Sequence, residues 1–135
     1  MHRALALLLA AVVSAYAASA ASEPRSTKAE AQLQSWLGGK VAGPPVDCLP
    51  SFQPDDMVVI DNKTILFKGY HDVVYRNDPP GGCSPMGTGG YSLVTRSTSS
   101  RLCRGDIAQV VDLRSGVISG SCAMGSFVPY QGAAR

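Results

Sequence analysis

Residues 57–68 read Met-Val-Val-Ile-Asp-Asn-Lys-Thr-Ile-Leu-Phe-Lys, which is two short apolar runs on either side of Asp61-Asn62-Lys63. Apolar and β-branched residues in runs of this length favour strands, and the polar residues between them favour a tight turn. Two strands joined by so short a turn run antiparallel and pair with each other. This segment therefore predicts a β-hairpin and indicates a mainly β fold.

Further short apolar runs, separated by turn residues, continue this pattern towards the C-terminus. The predicted strands after the first hairpin are 72–76, 91–96, 107–113, 117–122 and 127–128. The third and fourth of these flank Arg114-Ser115-Gly116 and predict a second hairpin. Because no helix-length pattern separates the runs, we expect residues 45–135 to form a small antiparallel barrel or sandwich.

One helix is predicted ahead of the strands, within residues 21–44. Thr27 and Glu30 have the spacing of a capping box, in which each side chain bonds the other residue's free amide. Apolar residues then recur on one helical face, at Ala29, Leu33, Trp36 and Leu37. Gly38-Gly39 ends the pattern. We expect a docked helix with Trp36 as a core anchor, followed by a linker.

Residues 1–20 have the pattern of a cleaved signal peptide. A short polar start with Arg3 precedes an apolar stretch over residues 4–13. Ala18-Ser19-Ala20 supplies the small residues that a signal peptidase requires, and Ala15-Tyr16-Ala17 is the second choice. The alternative is an uncleaved anchor, but the apolar stretch is shorter than the ~20 residues of a membrane span. No cysteine follows the cleavage site for lipid attachment, so we expect a soluble exported product without a membrane span.

All four cysteines follow this leader, at Cys48, Cys83, Cys103 and Cys122. No two of them form a Cys-x-x-Cys motif, which argues against a thioredoxin-like centre or a zinc knuckle. In an exported chain, four widely spaced cysteines are typical of two disulfides. Four cysteines allow three connectivities.

The second hairpin restricts these connectivities. If Leu113 lies opposite Val117, Ala108 lies opposite Cys122, and Cys103 is five positions further along the strand. At about 3.4 Å per residue, that separation is too long for a bridge. A Cys103–Cys122 bond, and with it Cys48–Cys83, is therefore disfavoured. Two arrangements stay open: Cys48–Cys103 with Cys83–Cys122, or Cys48–Cys122 with Cys83–Cys103.

The overall composition excludes the most strongly charged function classes. The formal net charge is +2, with 12 Lys and Arg against 10 Asp and Glu. Such a balance gives no strong field for nucleic acid or for an anionic membrane surface. The 14 glycines and 9 prolines favour turns and strands over helices. We therefore predict no nucleic-acid partner.

Seven segments of the mature chain resemble a family of small exported proteins from Gram-negative bacteria that has no assigned activity. They are residues 45–49, 60–61, 64–67, 74–77, 93–96, 102–106 and 125–130. The resemblance implies a periplasmic or secreted destination. Members of that family can lack counterparts of Cys83 and Cys122 while keeping those of Cys48 and Cys103, which implies the pairing Cys48–Cys103 with Cys83–Cys122.

No segment carries a recognisable catalytic or cofactor motif. His71, the only histidine after the leader, precedes Asp72, but neighbouring residues on a strand point to opposite faces. The glycines of 87–90 lead into a strand rather than a helix and lack the lysine of a phosphate loop. Asp55, Asp56 and Asp61 lack the spacing of a metal site. We assign no catalytic, cofactor or metal residue.

The residue types that remain suit a binding surface. Tyrosine and arginine are enriched at binding hot spots, and the candidates are Tyr70, Tyr75, Tyr91, Tyr130, Arg76, Arg96, Arg101 and Arg104. The favoured hypothesis is a non-catalytic module that binds an envelope protein, a peptide or a cell-wall component. One alternative is a hydrolase that uses His71 with a carboxylate from another strand. The other is an inhibitor of a secreted enzyme, with residues 77–90 as its reactive loop.

Overall fold

A computed structural model of the protein describes residues 23–96 and 99–133, so the predicted signal peptide lies outside the described residues. The fold is mainly β, as predicted. It contains α1 (Thr27–Leu37), β1 (Lys40–Ala42), β2 (Met57–Val59), β3 (Ile65–Lys68), β4 (Val74–Asn77), β5 (Tyr91–Thr95), β6 (Ile107–Asp112), β7 (Ile118–Ala123) and β8 (Phe127–Gly132). No helix in this part of the chain is long and apolar enough to cross a membrane.

The strands form two antiparallel sheets that pack as a sandwich and do not close into a barrel. The large sheet has the order β1-β8-β4-β3-β2, and the small sheet has the order β5-β6-β7. Between the sheets lies a core of buried side chains. Ile65, Phe67 and Phe127 of the large sheet meet Ala108 and Val110 of the small sheet there. The two-layer architecture follows because each sheet must bury one apolar face.

Helix α1 covers the other face of the large sheet. Leu33 and Leu37 of the helix pack against Leu66 and Val74, and Trp36 is half-buried beside them. Side chains alternate along a strand, so β3 sends Leu66 to the helix and its neighbours to the sandwich core. The helix confirms the predicted apolar face, but its cap differs from the prediction.

The N-cap of α1 is Ser26 and not Thr27. The backbone N–H of Ala29 donates to Ser26 Oγ at 3.2 Å. Glu30 does not bond back to the cap; its carboxylate lies 3.6 Å from Arg25 Nη1. The capping-box prediction was therefore wrong: the Thr27–Glu30 spacing suggested the cap, but Ser26, a better N-cap residue than Thr, precedes it and caps the helix without a reciprocal bond from Glu30.

The first hairpin has the predicted turn. Asp61 Oδ1 accepts hydrogen bonds from the backbone N–H groups of Lys63 and Thr64, both at 2.8 Å. The next strand begins later than predicted, at Val74. His71 and Asp72 have φ angles of 55° and 63°, and Val73 N donates to Tyr70 O at 3.2 Å. Two such residues form a type I′ turn between β3 and β4.

The second hairpin contains a bulge that the sequence did not reveal. Asp112 N donates to Val117 O at 2.9 Å, so the turn comprises residues 113–116 and is one residue longer than predicted. A β-bulge at Ser119 then restores the register, and Ala108 lies opposite Cys122 as predicted. The two deviations cancel.

The disulfides are Cys48–Cys103 and Cys83–Cys122. This is one of the two arrangements left open by the hairpin geometry, and the one implied by the family resemblance. Cys48 and Cys103 also form an isolated antiparallel bridge between two loops. Cys83 and Cys122 lie in the sandwich core, where they tie residues 77–90 to β7.

The large sheet gains two features beyond the predicted strands. Residues 40–42, placed in a linker by the sequence, form β1 and pair with β8. Strand β8 continues through Pro129 to Gly132 instead of ending at Val128. Proline fits there because Pro129 O accepts from Gly43 N at 2.7 Å. The N and the C=O of a strand residue point to the same side, so the N of Pro129 points towards Gly43, just past Ala42 at the end of β1. The ladders with β1 and β4 therefore lose no bond to the missing N–H of proline.

Candidate functional site

The small sheet has one buried face and one face that the described residues leave uncovered. Ala108 and Val110 of β6 are fully buried, so Ile107, Gln109 and Val111 point away from the core. Strand pairing places further side chains on that side. We call the outward side chains of this sheet the outer face; they are Ser92, Val94, Ile107, Gln109, Val111, Ile118, Ser121 and Ala123.

The outer face exposes large apolar side chains. Ile107 is 55% exposed, Ile118 is 54% exposed and Val94 is 43% exposed. At the adjoining hairpin tip, Leu113 and Val117 are 66% and 60% exposed. Single exposed apolar residues are common, but several on one sheet face are typical of an interaction site.

An arginine flanks each end of the outer face. No member of the outer face is charged, since its residues are Ser, Val, Ile, Gln and Ala. Arg96 follows β5 beside Ile107, and Arg114 lies in the hairpin tip at the other end of β6. Neither arginine has an acidic partner among the described residues. The nearby Asp112 instead accepts the backbone N–H of Arg114 at 2.7 Å.

The tyrosines and arginines predicted for a binding surface do not gather on one face. Tyr70 is 69% exposed at the β3–β4 turn, whereas Tyr75 and Tyr91 pack against the sandwich core. Tyr130 packs against the helix cluster. Only Arg96 of that set follows directly from a strand of the small sheet onto the outer face.

His71 lies on the surface, away from carboxylates of other strands. It occupies the type I′ turn and borders a shallow cleft lined by Pro50, Ser51, Gly69, Tyr70, Val73 and Tyr75. The carboxylate next to it, Asp72, forms an ion pair with Lys40. A hydrolase built on His71 needs an acceptor for the imidazole N–H, and the described residues provide none. The structure therefore gives the hydrolase hypothesis no support.

The loop 77–90 lies against the body of the protein. Cys83 N donates to Asn62 O at 2.6 Å, and Gly87 N donates to Asn62 Oδ1 at 2.6 Å. Cys83 and Met86 are buried in the core. A reactive loop must stand clear of its scaffold to enter an enzyme, and this loop is held at its centre. The inhibitor hypothesis gains no support from its geometry.

A polar network closes the side of the molecule near the first hairpin. Arg25 Nε donates to Asp61 Oδ2 at 2.6 Å, and Thr64 Oγ1 donates to Asp78 Oδ1 at 2.7 Å. Arg76 Nε also reaches Asp78, at 3.0 Å. The adjacent cleft has a volume of about 490 Å³. Because each of the two arginines already faces a carboxylate, we interpret this network as structural.

Neither a metal site nor a known relative identifies the protein. Within residues 23–96 and 99–133, no group of three or more His, Cys, Asp or Glu side chains is placed to hold a metal ion. No protein-family model, curated protein or solved structure matches the chain. The candidate site is therefore defined by its surface chemistry, and the outer face is the strongest candidate.

This surface has only a weak signal in the sequence. Ile107, Val110, Val111 and Leu113 place apolar residues at both odd and even positions. Such a strand is equally compatible with burial on both faces, as in β3. Only the packing of the two sheets shows that one set of these residues stays uncovered.

Proposed function

We propose that this protein is an exported, non-catalytic module that binds another protein of the cell envelope through its outer face. The observation that carries the proposal is the uncharged sheet face on which Ile107 and Ile118 are each more than half exposed. Full burial of an exposed isoleucine contributes about 1.5–3 kcal/mol, and covering the exposed half of each of these two would contribute about half of that. Ile118 pairs with Val111, four residues along β6 from Ile107, so a protein that covers both would gain an apolar contact that runs along the sheet.

The two flanking arginines favour a partner with acidic residues. Arg96 and Arg114 lie at the two ends of β6, about 20 Å apart at the strand rise per residue. A partner with an apolar centre and acidic residues on either side matches this pattern. Stacking two copies of the outer face would instead bring arginine rims together, and like charges oppose each other.

Export is part of the proposal and has its own support. Disulfides form and persist in oxidising compartments such as the bacterial periplasm and the extracellular space. Both disulfides of this chain join residues distant in sequence, separated by 55 and 39 positions. Together with the signal-peptide pattern of residues 1–20, they favour a periplasmic or secreted protein. The resemblance to a family of exported proteins stays a prediction.

The test captures a partner with the wild-type protein and then compares how strongly two matched variants bind it. The mature protein, immobilised, is incubated with an envelope extract of its source, and retained proteins are identified by mass spectrometry. Ile118→Glu places a negative charge in the outer face, and Val41→Glu places one at an equally exposed site, 59% against 54%, on the large sheet. We expect a purified candidate partner to bind Ile118→Glu at least about tenfold more weakly than wild type.

Val41→Glu should bind that partner like the wild type. Equal binding by wild type and Ile118→Glu would contradict the proposed surface. Retention of a cell-wall fragment in place of a protein would contradict the proposed partner class. The intact mass of the exported protein shows where the leader is cut and whether both disulfides are formed.

A further inference from the structure

The edge of β5 that points away from β6 has a row of backbone N–H and C=O groups without partners among the described residues. Leu113 N donates to Gly90 O at 2.9 Å, so the backbone of Gly90 is directed towards β6. Backbone groups alternate along a strand, and Ser92 and Val94 therefore also bond β6. The N–H and C=O groups of Tyr91, Leu93 and Thr95 point the other way. None of them has a hydrogen-bond partner among the described residues.

The other sheet edges are shorter or interrupted. Strands β1 and β2, at the edges of the large sheet, have three residues each. Strand β7 has the bulge at Ser119, and its Gly120 lies so close to Ser84 O that a Cβ there would be 2.6 Å away. Bulges, short strands and covering loops are the usual protections of an edge.

Strand β5 has none of these protections. It runs for five residues, Tyr-Ser-Leu-Val-Thr, without charge or proline, and pairs with β6 in unbroken register. A regular, uncharged edge of this kind accepts a strand from another chain. An exported protein that left it open would be prone to aggregate, so a defined occupant is expected.

We propose that this occupant is β5 of a second copy, paired antiparallel about a two-fold axis at Leu93. In this register Leu93 faces Leu93 of the second copy, and Tyr91 faces Thr95 of the second copy. These are the residues whose backbone groups are unpaired, so each facing pair exchanges two hydrogen bonds. The two small sheets become one continuous sheet.

The side chains of β5 are compatible with self-pairing. Tyrosine opposite threonine is an aromatic pair with a β-branched residue, which is favourable across strands. The nearest charge, Arg96, lies three residues from the two-fold axis in each copy. The two arginines are therefore about 20 Å apart, further than the screening length in physiological salt.

The asymmetry of the two edges limits the assembly to a dimer. Pairing through β5 is isologous and uses the same edge of both copies. The remaining edge of the small sheet is β7, whose bulge and contact with Ser84 oppose further strand addition. The dimer does not require the envelope partner of the outer face, so each proposal can fail without the other.

The first test is the oligomeric state of the mature, oxidised protein by sedimentation equilibrium. Thr95→Pro removes an N–H that points away from β6, so it blocks the edge without breaking the ladder within the sheet. We expect the wild type to sediment as a dimer and Thr95→Pro to raise the dimer dissociation constant about tenfold or more.

Ser121→Pro is the matched control, since Ser121 also directs its N–H away from β6, but on the bulged strand β7. It should keep the dissociation constant of the wild type. A wild type that is monomeric at every concentration would overturn the proposal, as would a dimer that Thr95→Pro leaves intact.

A second test remains informative if Thr95→Pro does not fold. In the proposed register Ser92 faces Val94 of the second copy in a non-hydrogen-bonded pair, with Cα atoms about 4.5 Å apart, which suits a disulfide. A mixture of Ser92→Cys and Val94→Cys chains should cross-link on oxidation, and each variant alone should not. Equal cross-linking in all three samples, or none in the mixture, would contradict the register.

Discussion

Asn77 is a fully buried polar residue at the end of β4, and its amide holds the turn that precedes β8. Its Nδ2 donates to Gly125 O at 2.7 Å, and its Oδ1 accepts from Gly125 N at 3.0 Å. These two bonds satisfy a buried stretch of backbone that no strand partner reaches. The Asn77 amide therefore supplies the hydrogen bonds that a neighbouring strand would otherwise make to Gly125.

Replacing Asn77 should be among the most destabilising single changes in this protein. Asn77→Ala leaves both polar groups of Gly125 buried without a partner, so we expect the free energy of unfolding to fall by about 2–4 kcal/mol. Urea denaturation measures this change. The exposed Gln131→Ala is the control and should shift stability by less than about 0.5 kcal/mol. Equal effects of the two changes would show that the Asn77 bonds are dispensable.

Asp61 has a lowered pKa and links stability to pH. Its partial burial by itself raises the pKa, but hydrogen bonds from Arg25, Lys63 and Thr64, with the charge of Arg25, lower it below the ordinary value. A carboxylate with a lowered pKa in the folded state stabilises the fold above its unfolded pKa, about 3.9. That contribution is lost as the pH falls through the folded pKa.

Asp61→Asn should therefore cost less stability in acid than at neutral pH. At pH 7 we expect a loss of about 1–2 kcal/mol, because the charged acceptor of Arg25 is removed. The difference from the wild type should narrow as the pH falls below the unfolded pKa of about 3.9 and through the lower folded pKa, where the wild-type carboxylate becomes protonated. Urea denaturation across this range measures it. A constant or widening difference would contradict the assigned charge state.

At the scale of elements, the two disulfides have different environments. Cys83 is fully buried and Cys122 is 7% exposed, whereas Cys48 and Cys103 are half-buried between loops. In the chain-entropy description, closing loops of this length stabilises the fold by about 4 kcal/mol each. Both should therefore matter for stability, but only one is accessible to an external thiol.

Limited reduction of the native protein should open Cys48–Cys103 first. Thiol exchange requires the attacking thiolate to reach a sulfur, so access controls the order. Alkylation after brief treatment with dithiothreitol, followed by peptide mass spectrometry, should show label on Cys48 and Cys103 before Cys83 and Cys122. In urea the order should disappear. Early label on Cys83 in the native protein would contradict the packing described here.

At the scale of the whole molecule, the large sheet joins the sandwich core to the helix cluster. Neighbouring residues of β3 belong to both, since Phe67 packs in the core and Leu66 packs under α1. Neither cluster can lose its packing without exposing one face of that strand. We therefore expect the helix and the sandwich to unfold together.

The single tryptophan provides the measurement. Trp36 lies in the helix cluster, so its fluorescence reports on the docking of α1, while far-UV circular dichroism reports on the sheets. Both signals should change at the same urea concentration, as two-state unfolding requires. A fluorescence transition at lower urea would show that the helix undocks separately.

Much of the secondary structure could be predicted from local sequence patterns. The strands of the first hairpin, the apolar face of α1 and the turn at Asp61-Asn62-Lys63 are set by neighbouring residues, so they could be predicted. The register of Ala108 opposite Cys122 was predicted correctly only because a longer turn and the bulge at Ser119 offset each other. No local pattern marks such a bulge.

The sequence by itself determined the mainly β class, the position of the helix and two candidate disulfide arrangements. The tertiary structure decided the packing of the sheets, the pairing of β1 with β8, the location of the outer face and the openness of the β5 edge. These features depend on contacts between residues far apart in the chain. Turn chemistry and periodicity fix the conformation of a segment, but they do not say which of its faces another segment will cover.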